Sequence, residues 1–207
     1  MNFVLALIGG YIVGSLPTAF LLVRNRKGVD IRHAGSGNVG AFNAFEVTNS
    51  RLNGVLVGLV DTLKGFAVSG ACAWVFKVSF EVQTIAFLGA VLGHNYPVWL
   101  RFKGGRGLAT GAGGLFAIGT AYTLIWCCLW FVVYRIRKDI HTANVAAIIA
   151  APLVLLAVPT RLVEATMVVS APGRSYQLLG FVLSGILLVS HWDVVNKLSV
   201  HRREKHE

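Results

Sequence analysis

Long apolar stretches alternate with short basic stretches along the whole chain. The apolar stretches cover residues 2–23, 53–76, 82–99, 108–134, 144–158 and 176–190. A helix needs about 20 apolar residues to cross the hydrocarbon core of a bilayer, and the first stretches meet or approach that length. The pattern therefore predicts an all-α membrane protein.

The basic stretches fix the expected orientation. Residues 24–52 carry five Lys and Arg, residues 100–107 and 135–142 carry three each, and residues 191–207 carry four. Loops on the cytoplasmic side of a membrane collect Lys and Arg. We therefore expect all four segments on the cytoplasmic face, with the N-terminus outside and the C-terminus in the cytoplasm.

This orientation constrains residues 108–134, which must begin and end on the same face. Because 27 residues are too few for two full crossings, we predict two short or tilted helices that break near Gly119 and Thr120. The total is about seven transmembrane helical segments, with residues 159–175 as an outer loop. No second domain is visible, and residues 1–207 are expected to form a single integral-membrane domain.

The composition excludes one function class. The net charge is +10, but 55% of the residues are hydrophobic and only 14% are charged. A nucleic-acid-binding protein would need more exposed polar sequence, so no nucleic-acid partner is expected. Cys72, Cys127 and Cys128 show no metal-binding or disulfide spacing, and we expect them to pack in the core. No metal and no cofactor are expected.

Residues 35–40, with the sequence GSGNVG, form a first glycine loop. Glycines allow a ligand to approach the backbone closely, and consecutive N–H groups bind anions. The same letters match a dinucleotide fingerprint, but no buried strand precedes them, so we reject that interpretation. Residues 39–47 are predicted to form a short interfacial helix whose N-terminus faces this loop, with Asn43 as a further polar group.

Residues 103–107, with the sequence KGGRG, form a second glycine loop. Lys103 and Arg106 can contact phosphate oxygens, although an ordinary basic cytoplasmic loop is the alternative interpretation. His94 lies just upstream, at the end of a predicted span. Asp61 and Lys64 are charged residues inside a span; an ion pair is the favoured interpretation and a proton relay the alternative.

These motifs resemble, over most of the chain, the bacterial acyl-phosphate:glycerol-3-phosphate acyltransferases, the PlsY family. The segments KGVDIR and GSGNVGA (27–32 and 35–41) resemble its first motif, and DTLKG (61–65) its second-helix signature. The segments GHNYPV and FKGGRGLAT (93–98 and 102–110) resemble its second motif. His191 and Asn196 match its last helix.

The resemblance implies transfer of an acyl group from acyl phosphate to glycerol 3-phosphate, which yields lysophosphatidic acid for phospholipid synthesis. It implies a seven-helix fold in the bacterial inner membrane with the active site on the cytoplasmic face. Within this hypothesis, Ser36, Lys103 and His94 are the catalytic candidates. The substrate-binding candidates are Gly35, Gly37, Asn38, Gly40, Asn43, Gly104, Gly105, Arg106, His191 and Asn196.

Several positions depart from the family pattern, and they are expected on the acceptor side of the site. Phe42 stands where the family has Thr, Glu46 where it has Arg, and Arg106 where it has Lys; His141 and Asn144 replace two serines. A carboxylate about 4–6 Å from a phosphate would cost on the order of 1–3 kcal/mol near a protein surface. The departures leave open a different polyol or phospho-alcohol acceptor, or a silent lipid- or phosphate-binding membrane protein. Transport is a weaker alternative.

Overall fold

The computed structural model describes residues 2–203, with side chains described for residues 2–198. Within these residues there is no β-strand, and one isolated bridge joins Gly119 and Met167. The all-α prediction is confirmed. The helices are α1 (Phe3–Gly14), α2 (Thr18–Lys27), α3 (Ala41–Thr48), α4 (Arg51–Gly70), α5 (Phe80–Asn95), α6 (Leu108–Ile118), α7 (Ala121–Arg137), α8 (Ile140–Ala157), α9 (Thr160–Glu164), α10 (Gly173–Ser190) and α11 (Trp192–Arg203).

Four helical segments of the described chain are long and apolar enough to cross a membrane. They are Phe3–Lys27, Arg51–Val75, Ile140–Ala157 and Gly173–Ser190. Helices α5 and α7 are slightly shorter, with 16 and 17 residues. The number of seven segments and the orientation remain predictions.

The predicted first span over residues 2–23 corresponds to the candidate span Phe3–Lys27, but its helix is interrupted. Helix α1 ends at Gly14 and α2 begins at Thr18, with Pro17 between them at φ −87° and ψ 67°. Proline has no N–H to donate and its ring clashes with the preceding turn, so the helix is interrupted there. The short helix predicted over residues 39–47 is confirmed as α3, and its location at the membrane interface stays a prediction.

The predicted break near Gly119 and Thr120 is confirmed, because α6 ends at Ile118 and α7 begins at Ala121. A buried tyrosine stabilises this break. The Tyr176 hydroxyl donates to the Gly119 carbonyl, and the Tyr122 N–H donates to that hydroxyl oxygen at 3.3 Å. Backbone groups released by the break therefore find partners inside the protein.

The chain divides into two compact units, residues 1–118 and residues 119–207. In the first unit, α1 and α5 pack backbone to backbone. A Cβ on Gly10 would lie 1.9 Å from the Ala86 carbonyl oxygen, and one on Gly14 would lie 2.0 Å from that of Ala90. Because the residue numbers increase along both helices from the first contact to the second, the two helices are parallel.

In the second unit, α8 packs against α7 and α10. The basic segment after residue 191 forms α11 as far as Arg203; residues 204–207 lie outside the described part. The cysteine prediction holds for Cys72, which is buried. It is wrong for Cys127 and Cys128, whose side chains are exposed on α7 although the helix is apolar.

Candidate active site

The first glycine loop lies between α2 and α3 and turns through two left-handed residues. Gly35 has φ +57° and Gly37 has φ +73°. A Cβ on Gly35 would also lie 2.2 Å from Asn43 Oδ1. Glycine is therefore required at residue 35 on both conformational and steric grounds.

The Asn43 side chain, fully buried at the start of α3, holds this loop in shape. Its Oδ1 accepts from the Ser36 N–H at 3.0 Å. Its Nδ2 donates to the carbonyls of Ala34 at 3.0 Å and Asn38 at 2.9 Å, with a longer contact to Ile31 at 3.3 Å. The structure thus gives Asn43 a scaffolding role inside the loop, and its predicted contact with substrate stays a prediction.

The second glycine loop is joined directly to the first. The Val39 N–H donates to the Gly104 carbonyl at 3.3 Å. The N–H groups of Gly104 and Gly105 in turn donate to the carbonyls of Asn95 and His94, at 3.1 and 3.0 Å. The two motifs, more than 60 residues apart in the sequence, form one surface at the end of α5.

Gly105 allows the closest approach in this surface. A Cβ there would lie 2.1 Å from His94 Nε2 and 2.8 Å from the Val39 carbonyl oxygen. Neither the imidazole nor the backbone could withdraw far, because both belong to buried residues. The glycine therefore makes room for the histidine ring between the two loops.

Arg32 fastens the segment before the first loop. Its Nη2 lies 2.6 Å from Asp30 Oδ2, and its Nη1 donates to the Leu100 carbonyl at 3.1 Å. Hydrogen bonding from this guanidinium lowers the pKa of Asp30 to about 2. The Arg32 guanidinium also lies 5.4 Å from the centre of the Phe20 ring.

Three predicted site residues surround the joined loops with accessible polar groups. Ser36 and Lys103 are exposed, and Arg106 is half-buried. No side chain caps the first turn of α3 after Gly40. Together with the cations Lys103 and Arg106, these features form a positively charged surface suited to a phosphate group.

Below this surface lies a buried charged cluster on α4 and α5. The predicted pair of Asp61 and Lys64 is confirmed, with 2.9 Å between Oδ1 and Nζ. His94 joins it, because its Nδ1 lies 3.4 Å from Lys64 Nζ and 3.7 Å from Asp61 Oδ1. All three residues are at most 8% exposed.

The second unit contains the remaining candidates. His191 is fully buried at the end of α10, where its Nδ1 lies 2.7 Å from the Leu187 carbonyl. Asn196 follows on α11. Asn144 accepts from the indole N–H of Trp130 at 2.7 Å. These observations describe each residue within its own unit, and their contact with substrate stays a prediction.

Two altered positions lie on α3. Phe42 and Glu46 are exposed, and no ion pair to Glu46 forms within the described residues. The charge reversal expected from the sequence therefore stands without internal compensation in this part of the chain.

One buried polar residue beside the site was not predicted. Asn95 is 2% exposed, and neither polar atom of its amide has a hydrogen-bond partner in the described part of the chain. Its signal was a polar residue directly after His94 at the end of an apolar stretch. The role of Lys64 beside His94 was also missed, because 30 residues separate the two.

Comparison with known proteins identifies a single family. A family model described as glycerol-3-phosphate acyltransferase matches residues 4–200. The glycerol-3-phosphate acyltransferase of Aquifex aeolicus is 31% identical over 205 residues, which cover 99% of this chain and 100% of that protein.

Two crystal structures of PlsY (YgiH), an integral membrane glycerol 3-phosphate acyltransferase, are similar to this chain. The glycerol 3-phosphate form gives a TM-score of 0.79 and the lysophosphatidic acid form 0.76. Both are 30% identical, and each match covers 97% of this chain and 93% of the other.

Proposed function

The chain belongs to the glycerol-3-phosphate acyltransferase family, and from this premise we propose that it transfers an acyl group from acyl phosphate to glycerol 3-phosphate. The products are lysophosphatidic acid and inorganic phosphate, and the pathway is phospholipid synthesis. The main support is the Val39 N–H to Gly104 carbonyl bond, which joins both glycine loops into one anion-binding surface.

The reaction needs positioning and charge neutralisation more than a strong base. The acceptor hydroxyl oxygen attacks the acyl carbon, the bond from that carbon to the phosphate oxygen breaks, and phosphate leaves with the electron pair. Because acyl phosphate already carries a good leaving group, preorganised donors and cations supply most of the catalysis. The hydroxyl proton passes to a substrate phosphate.

The candidate polar groups divide between the two substrates. Ser36, Gly37 and Asn38 hold the donor phosphate, and Lys103 neutralises the charge that develops on it as it leaves. Arg106 places the acceptor, and His191 and Asn196 stay acceptor-side predictions from the sequence. Asn43 acts indirectly, because its amide is used to shape the first glycine loop.

The membrane arrangement is part of the proposal. Seven helical segments cross or enter the bacterial inner membrane, with the N-terminus outside and the C-terminus and active site on the cytoplasmic side. The parallel packing of α1 and α5 supports the assignment of α1, α4 and α5 as successive crossings, because the first and third crossings of a membrane run in the same direction.

A different acceptor is the second candidate, and the negative charge of Glu46 is the reason to test it. An exposed carboxylate without an internal cation would repel the phosphate of glycerol 3-phosphate if it faces that substrate. An acceptor with no phosphate, such as glycerol, would not be repelled.

The test uses purified protein in detergent micelles with radiolabelled palmitoyl phosphate. The acceptors are glycerol 3-phosphate, glycerol, dihydroxyacetone phosphate and water, and lipid products are separated by thin-layer chromatography. We expect lysophosphatidic acid with glycerol 3-phosphate alone; acylated glycerol instead would favour the second candidate. Palmitoyl-CoA serves as the competing donor, and its use in place of palmitoyl phosphate would contradict the proposed donor.

A matched pair of serine variants controls this assay. Ser36→Ala removes a hydroxyl from the first glycine loop, whereas Ser170→Ala removes one from an exposed position in the outer loop. Turnover should be lost in the first variant and retained in the second. Tight binding of palmitoyl phosphate by the wild-type protein, without turnover of any acceptor, would identify a silent binding protein.

A further inference from the structure

The Lys64 ammonium lies among hydrogen-bond acceptors and a carboxylate in the first unit. Its Nζ donates to the Leu16 carbonyl at 2.8 Å and to the Gly14 carbonyl at 3.3 Å, where α1 ends. Asp61 Oδ1 lies 2.9 Å away as an ion-pair partner without good hydrogen-bond geometry. These neighbours stabilise the charged ammonium of this buried side chain.

The fourth neighbour of this ammonium is His94 Nδ1, at 3.4 Å. An ammonium carries only donors, so a proton on Nδ1 would point at another cationic donor. The carboxylate offers Nδ1 no alternative, since 3.7 Å to Asp61 Oδ1 exceeds hydrogen-bond distance. Nδ1 must therefore present its lone pair, and in a neutral imidazole the proton then sits on Nε2.

We propose that Lys64 is a positioning residue that fixes His94 as the neutral tautomer carrying its proton on Nε2. This makes His94 a hydrogen-bond donor to a substrate oxygen. His94 is therefore not a general base, because Nε2 has no lone pair to offer a hydroxyl proton. The inference deepens the proposed function, on which its catalytic consequence rests; the tautomer itself does not depend on it.

The position of Nε2 gives this donor its target. It faces Gly105 at the junction of the two glycine loops, and no hydrogen bond to it forms within the described residues. An N–H here can donate a hydrogen bond to the phosphate of the acyl-phosphate substrate or to the oxyanion that develops on the acyl oxygen. Both targets are anionic oxygens, so the tautomer with its proton on Nε2 can bind either of them.

Histidine nitrogen NMR tests the tautomer directly. The protein is labelled with ¹⁵N-histidine in micelles, and a two-bond ¹H–¹⁵N correlation identifies the protonated ring nitrogen. His94→Gln assigns the His94 signal among the six histidines. At neutral pH we expect a protonated Nε2 and a bare Nδ1. A protonated Nδ1, or an imidazolium, would overturn the proposal.

Two variants test the part played by Lys64. Lys64→Met leaves the Asp61 carboxylate unpaired, and we expect it to draw a proton onto Nδ1. The double variant Asp61→Asn/Lys64→Met removes both charges and keeps the protein testable if the single variant misfolds; a mixture of tautomers is expected. If the wild-type tautomer persists unchanged in the folded variants, Lys64 does not set it.

Turnover separates a donor from a base. Glutamine places an N–H near the position of Nε2, so His94→Gln should keep about a tenth of the wild-type kcat. His94→Leu has no such donor, and its kcat should fall by a factor on the order of 10²–10³. Equal loss in both variants would contradict the donor role. Absence of turnover in the wild-type protein would defeat the proposed function, while the NMR result would still decide the tautomer.

Discussion

Asn43 reaches back from α3 and accepts a hydrogen bond from the Ser36 N–H at 3.0 Å, while its Nδ2 binds the carbonyls of Ala34 and Asn38. One buried amide therefore satisfies backbone groups before and within the first glycine loop. The loop needs no regular secondary structure, because this side chain takes the place of a ladder of backbone bonds.

Replacing this amide should distort the loop. Asn43→Ala leaves buried carbonyls and the Ser36 N–H unpaired, and we expect it to lower the free energy of unfolding by about 1–3 kcal/mol. Asn43→Asp keeps an acceptor for Ser36 but places a carboxylate beside the carbonyls, so it should be at least as damaging. Thermal unfolding in micelles measures both. Wild-type stability in both variants would show that the loop holds its shape without the amide.

Gly105→Ala should impair turnover by displacing His94. The new methyl would overlap Nε2 at 2.1 Å, and a misplacement of about 1 Å can cost roughly 10²-fold in rate. We expect kcat to fall at least about tenfold. Gly9→Ala is the matched control, since a Cβ there meets nothing within 4 Å. A Gly105→Ala enzyme with normal kcat would place His94 outside the reacting region.

Glu46→Arg should improve use of glycerol 3-phosphate. Replacing repulsion with attraction near the acceptor phosphate is expected to lower its KM about tenfold, as on the order of 1–3 kcal/mol is at stake. Glu81→Arg makes the same exchange at an exposed position at the start of α5 and should leave KM unchanged. If both variants behave alike, Glu46 does not face the acceptor.

The link between Asp30 and Arg32 should make stability depend on acid. The pKa of Asp30 is lowered to about 2 in the folded protein, whereas an unperturbed Asp titrates near about 3.9. The carboxylate therefore contributes stability above its unfolded pKa, and this contribution is lost as the pH falls from about 5 towards 2. The thermal midpoint should decline over this window, and less so in Asp30→Asn. An equal decline in both proteins would exclude Asp30 as the source.

Tyr176→Phe should destabilise the connection between α6 and α7 without changing substrate affinity. It removes the hydroxyl that binds the Gly119 carbonyl and the Tyr122 N–H, and we expect a loss of about 1 kcal/mol in unfolding free energy. Thermal unfolding and the KM for each substrate provide the two readouts. A changed KM would mean that this break influences the site.

The features predicted correctly from the sequence follow from rules that act over short distances or along the whole chain. The break near Gly119 follows from charge parity, and the pair of Asp61 and Lys64 follows from spacing on one helix. The interruption at Pro17 was missed because apolar residues continue on both sides of it. Helix α11 was missed because its composition is polar.

The contacts between the candidate site residues were less predictable than the identity of those residues. Both glycine loops were identified from their letters, but the Val39 to Gly104 bond is a pairing of distant backbone groups. Asn43 was assigned to substrate because its side chain is polar, and only the fold shows that its amide is already engaged. The approach of Lys64 to His94 likewise depends on how α4 and α5 pack.

The glycine contacts between α1 and α5 limit how this protein can move. At Gly10 and Gly14 no side chain separates the two backbones, so sliding one helix along the other would drive carbonyl oxygens into main-chain atoms. Helices α1 and α5 must therefore move together as a rigid body. Admission of a long-chain substrate and departure of its product must therefore be accommodated by segments other than this helix pair.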